Sequence, residues 1–156
     1  MIPMPLKDQY LKLKKKHKAL PEWNWLSENF RIKHEDDTLL LESVRASVAE
    51  KIDNIARGIV EPLLSGNENF CCFFERKFIS KEEKDELFEI YKKLQALMWK
   101  SNNLQVSFSE NSAVLWLKEV HDVWKKVSPR LQEITKKVSH GWENYKKSEV
   151  ETAYHG

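Results

Sequence analysis

The residues of this chain that could do chemistry are few and scattered. His34-Glu35-Asp36-Asp37 brings four metal-capable groups together in sequence. Consecutive side chains point in different directions, so they seldom complete one site, and the cluster reads as a solvated loop carrying an N-cap. His121-Asp122 lies on a long helical pattern, with His121 one position past the apolar Val120. It reads as a hydrogen-bonded flanking histidine rather than a general base. His17 falls on the apolar face of the first helical pattern, where a partly buried ring with one satisfied nitrogen is expected. Cys71 and Cys72 are adjacent and sit among Phe70, Phe73 and Phe74. Adjacent cysteines rarely pair, and a thiol among aromatic rings has its ionisation suppressed. These two read as small core residues.

Two surface chemistries remain. Lys12, Lys14, Lys15, Lys16 and Lys18 form a basic run near Tyr10, Trp23 and Trp25. Lysines neutralise phosphates with release of counterions, and neighbouring aromatics can stack on unpaired bases. A nucleic-acid-binding face is therefore one expectation, weakened by a total of five arginines. The second is a protein interface. The chain has six tryptophans, at 23, 25, 99, 116, 124 and 142. Tryptophan buries a large area at small entropic cost and anchors interfaces. Trp116, Trp124, Trp142 and Tyr145, on or beside the longest apolar seam, are the interface candidates.

Several reaction classes are excluded by motif. Glycines stand only at 58, 66, 141 and 156, so no glycine-rich loop can cradle a phosphate. There is no Gly-x-Ser-x-Gly elbow. Neither Cys-x-x-Cys nor His-Glu-x-x-His occurs, and no Glu-x-x-His pair of a di-iron bundle. No cofactor, metal or catalytic residue is assigned, and the reading leans away from an enzyme.

The elements that must carry these residues are helical. Four glycines and five prolines in 156 residues are too few for a turn-rich sheet fold. Leu6, Tyr10, Leu13, His17 and Leu20 mark a first helix that Pro21 stops. Trp23, Leu26 and Phe30 give a short helix or turn. Asp36, Asp37 and Thr38 offer caps for the clearest amphipathic helix, Leu41, Val44, Val48, Ile52, Ile55 and Ile59, which Pro62 bends or ends and Gly66 closes. Residues 67–78 suit a short buried helix or a buried strand. Ser80-Lys-Glu-Glu83 is a capping box, opening a helix to about Lys100. Asn102-Asn103 interrupts it, and Leu104, Val106 and Phe108 alternate as an extended stretch would. Ser109 or Ser112 caps the last element.

That element carries heptads. Leu117, Trp124, Leu131, Val138 and Tyr145 recur every seven residues, as do Val120, Val127, Ile134 and Gly141. Pro129 falls opposite this seam and either bends the helix or divides it. Gly141 leaves a hole or admits a close neighbour.

The expected fold is all-α: an irregular bundle of four to six helices in a single domain over residues 1–156, with 1–5 and 148–156 frayed. Net charge is +2, with a basic first 20 residues beside an acidic middle. The cysteine usage and the absence of a signal peptide or apolar span make a cytoplasmic protein the simplest expectation, without membrane partners. Abundant lysine and glutamate with few glutamines fit a thermophile. The leading functional expectation is a non-enzymatic interaction or scaffold protein that self-associates, and the alternative is a nucleic-acid-binding module. If the chain's own helices cover the heptad seam, that seam reports folding; if it is bare, it is the working surface.

Overall fold

The computed structural model describes residues 2, 4–35, 38–65 and 70–146. Their order is α1 (Leu6–Lys16), α2 (Trp23–Asn29), α3 (Leu40–Ile55), a π turn (Ala56–Val60), α4 (Glu61–Leu64), α5 (Phe70–Lys77), α6 (Lys81–Val106) and α7 (Glu110–Glu143). The described residues include no strand, and the fold is all-α. The α3, π and α4 segments follow without a break, so the bundle has six rods.

The frame is three rods: the α3–α4 rod, α6 and α7, packed on one another. The core between them is built from positions at three-and-four spacing. Val44, Val48 and Ile52 on α3, Leu87, Leu94 and Leu97 on α6, and Leu117, Val120 and Ile134 on α7 are all almost fully buried. At one end α2 closes against α7, with the Phe30 and Trp124 rings 5.5 Å apart. At the other end α5 closes against the last turn of α7, with Phe74 6.1 Å from Trp142.

Local chemistry sets several ends. Ser80 accepts a hydrogen bond from the Glu83 N–H at 3.1 Å, and Glu83 accepts one from the Ser80 N–H at 2.9 Å. This reciprocal cap starts α6. Ser109 caps α7, accepting from the Ser112 N–H at 3.4 Å. Just before Pro62 the Glu61 N–H reaches back five residues to the Ala56 carbonyl. A widened turn of this kind carries the helix past a proline that lacks an N–H and crowds the preceding carbonyls.

Four sequence expectations are corrected. The first helix ends at Lys16, not Leu20: His17 leaves helical geometry, and the Leu20 N–H closes a turn on the His17 carbonyl. No side chain caps α3, whose N-cap is Leu39; Asp36 and Asp37 lie outside the described residues. Asn102-Asn103 does not end α6. Ser101 and Leu104 continue the buried series of Leu94 and Leu97, so packing outweighs the weak helix preference of asparagine. The alternation at 104–108 is therefore not a strand. Of the two alternatives for residues 67–78, the helix is the one found, over residues 70–77; Gly66 and residues 67–69 lie outside the described residues, as do the side chains of Cys71 and Cys72.

Pro129 neither divides nor ends α7, which runs unbroken from Glu110 to Glu143. The proline faces solvent, where its missing N–H is cheapest. One buried polar tie crosses the core: Arg45 on α3 donates to Ser101 Oγ at 2.6 Å and is held by Glu42. No buried side-chain polar atom among the described residues lacks a partner.

Candidate interaction surface

The heptad seam of α7 is covered by the chain's own helices. Trp116 is 3% exposed, and its Nε1 donates to the Leu97 carbonyl at 2.9 Å. Trp124 is buried too, donating to Asn29 Oδ1 at 3.2 Å. Trp142 is partly buried beneath α5 and donates to Glu75 Oε1 at 3.2 Å. Tyr145 packs edge-on to Phe74 at 5.9 Å. All four interface candidates thus have partners within the chain, and Trp116 and Trp124 belong to the core.

The basic run is divided by structure. Lys14 donates to the Leu20 carbonyl at 2.8 Å and pairs with Glu22 at 3.0 Å. Lys16 pairs with Glu110 at 3.3 Å. Lys12, Lys15 and Lys18 are exposed with no carboxylate in pairing distance, and Lys18 lies past the end of α1. The nearby aromatics are turned inward. Tyr10 is fully buried and donates to the Pro21 carbonyl at 2.7 Å. Trp23 lies on Tyr10, and Trp25 on Phe30 and His121. No stacking platform accompanies the lysines.

His17 and His34 are likewise engaged. His17 Nε2 meets Glu110 Oε1 at 2.6 Å. That hydrogen bond, with the one from Lys16, holds the Glu110 carboxyl below its ordinary range. His34 Nδ1 is bonded to Ser43 Oγ at 2.9 Å. Among the described residues no three His, Cys, Asp or Glu side chains converge as metal ligands. The cleft beside Glu110, about 600 Å³, is walled mainly by Met4, Leu13, Leu39, Leu40, Leu41 and Phe108. It offers apolar surface rather than a reaction centre. No described helix is long and apolar enough to cross a membrane.

Exposed apolar side chains lie at the chain start and before α3, at Ile2 and Leu39, and on the outer face of α6 and its groove with α7, where the exposed tryptophan stands. Trp99 is 70% exposed and has neither a hydrogen bond nor a ring partner. Leu115, on α7, is 63% exposed. The two line a groove of about 510 Å³ with Lys100, Leu104 and Trp116. Phe88 and Val106 are exposed on the same helix. Their spacing from Trp99, eleven and seven residues, puts all three within about 20° on one side of a helix with 3.6 residues per turn.

The sequence contained this signal. Trp99 falls outside the series Leu87, Ile90, Leu94, Leu97 that faces the core, and repeats the position of Phe88 three turns on.

No family model, curated protein or solved structure matches this chain. The functional reading therefore rests on its own surface.

Proposed function

We propose that this chain is a non-enzymatic helical interaction protein, whose working surface is the outer α6–α7 face around Trp99. One observation carries the reading. Of six tryptophans, five are held by hydrogen bonds or rings within the fold, and one is left in water beside a second bare apolar side chain. An exposed indole gains nothing for folding. In a groove it supplies the anchor typical of a binding hot spot. The hydrogen bonds held by His17 and His34, and the partnered buried polar groups among the described residues, agree with a role in binding.

The test is selection of displayed amphipathic helical peptides on the immobilised chain and on a Trp99→Ala/Leu115→Ser variant. The reading expects peptides that bind the first and lose at least about tenfold on the second. Peptides indifferent to the variant, or no enrichment at all, would remove it.

A second reading keeps an anionic partner for α1. It is supported by Lys7, Lys12, Lys15 and Lys18, which are exposed and unpaired with carboxylates. A salt titration of binding to single- and double-stranded RNA and DNA decides it. Affinity that falls with salt and drops in a Lys12/Lys15/Lys18→Ala variant supports it, and no binding at low salt discards it.

A further inference from the structure

We infer that the occupant of the Trp99 face is a second copy of this chain, paired antiparallel through α6 about a two-fold axis between Lys93 and Leu94. The inference rests on the reading of that face as a binding surface and names what it binds.

Geometry supplies the first argument. A two-fold interface uses the same patch twice, so a residue must meet its complement across the axis. With the axis at that point, Phe88 of each copy lies level with Trp99 of the other, five and a half residues to either side. The two exposed rings of α6 become a reciprocal aromatic pair, made twice. Leu115, beside Trp99 in the groove, extends each contact onto α7.

Charge supplies the second argument. Residues 81–90 carry five carboxylates and two lysines, and residues 91–106 carry three lysines and no carboxylate. Parallel pairing would set like against like. Antiparallel pairing sets the acidic half against the basic half. In the same register Lys100 of the second copy comes level with the gap between Asp85 and Glu89, within about 3 Å of each along the axis. Its present partner is Glu119, at 2.5 Å in an exposed pair of small worth. Asp85, Phe88, Glu89, Trp99 and Lys100 are all exposed and need no rearrangement of the bundle to meet.

Spin labels test both the association and its register. In a Cys71→Ser/Cys72→Ser background, one nitroxide is placed by Lys93→Cys and, separately, one by Gln105→Cys, both exposed and about 120° round α6 from Trp99, clear of the contact itself. Antiparallel pairing brings the two labels at 93 together, giving dipolar broadening at roughly 10–20 Å. It separates the two labels at 105 to roughly 36 Å, from 1.5 Å per residue and a helix separation of about 10 Å. Trp99→Ala should weaken the association roughly 30-fold. Short distances at both positions would mean a different pairing and overturn the inference. So would a lack of coupling at 200 μM, or coupling unchanged by Trp99→Ala. Failure of the dimer is separate from failure of the proposed function: a monomer whose Trp99 groove still selects helical peptides loses this inference and keeps that one.

Discussion

Phe78, in the turn between α5 and α6, lies against Gly141 near the end of α7 so closely that a methyl group on Gly141 would stand 2.4 Å from Phe78 Cγ. The heptad position that held no side chain is filled by a neighbour's ring, which also packs on Trp142 at 5.4 Å. The absence of a Cβ is what lets the turn lie down on α7.

This relationship predicts opposite outcomes at two helical glycines. Gly141→Ala must push Phe78 off α7, which costs about 1–3 kcal/mol as overpacking and outweighs the roughly 1 kcal/mol that alanine gains in a helix. Gly58 faces open space, with nothing within 4 Å of an added Cβ. Gly58→Ala is expected to stabilise by about 0.5–1 kcal/mol. Urea unfolding of both variants checks the pair, and a Gly141→Ala protein as stable as the parent would contradict the close contact.

The buried and bare tryptophans should separate cleanly. Trp116→Ala empties a core site and removes the indole hydrogen bond to the Leu97 carbonyl, for a loss of about 3–5 kcal/mol. Trp99→Ala is expected to change the stability of the monomer by no more than about 0.5 kcal/mol. Trp99→Phe should shift native fluorescence to the blue in dilute samples, because it removes the most water-exposed indole. Equal destabilisation by Trp99→Ala and Trp116→Ala would refute the burial pattern.

Acid should weaken the start of α6. The Glu83 carboxylate takes hydrogen bonds from Lys137 and from the Ser80 N–H, and these hold its pKa below the ordinary value of 4.5. A carboxyl with a lowered folded pKa contributes stability above its unfolded pKa, and loses it as pH falls through the folded one. Stability should therefore decline from about pH 5 downward. Glu83→Gln should flatten that decline and cost about 1 kcal/mol at neutral pH. An unchanged pH profile in the variant would show that other carboxylates govern it.

Arg45 should prove costly to remove. Arg45 is 5% exposed, and its guanidinium joins Glu42 to Ser101 across α3 and α6. Arg45→Ala leaves both without their charged donor, for an expected loss of about 3 kcal/mol by denaturant titration. Arg45→Lys should recover less than half of it, because an ammonium cannot span both partners as the planar fork does. Full rescue by lysine would mean that charge alone matters.

Much of the fold could be read from spacing. The α3, α6 and α7 rods follow from apolar residues at three-and-four intervals, and the α6 start from Ser80 and Glu83, because these signals act within a few residues of chain. Asn102-Asn103 misled for the complementary reason: its local preference is a fraction of a kilocalorie, and the burial of Leu104 by a distant rod exceeds it.

The candidate surface was legible only in part. Periodicity shows that α7 has an apolar seam, but it carries no information on which rod covers that seam. Burial depends on how elements far apart in sequence pack, so only the assembled bundle enclosed Trp116 and Trp124 and left Trp99 and Leu115 outside. The sequence by itself determined the helices, their apolar faces and the lack of a recognisable catalytic motif. The tertiary structure decided which aromatic faces were spent on the core and which remained in water, because water exclusion is a property of packed surfaces rather than of any one segment.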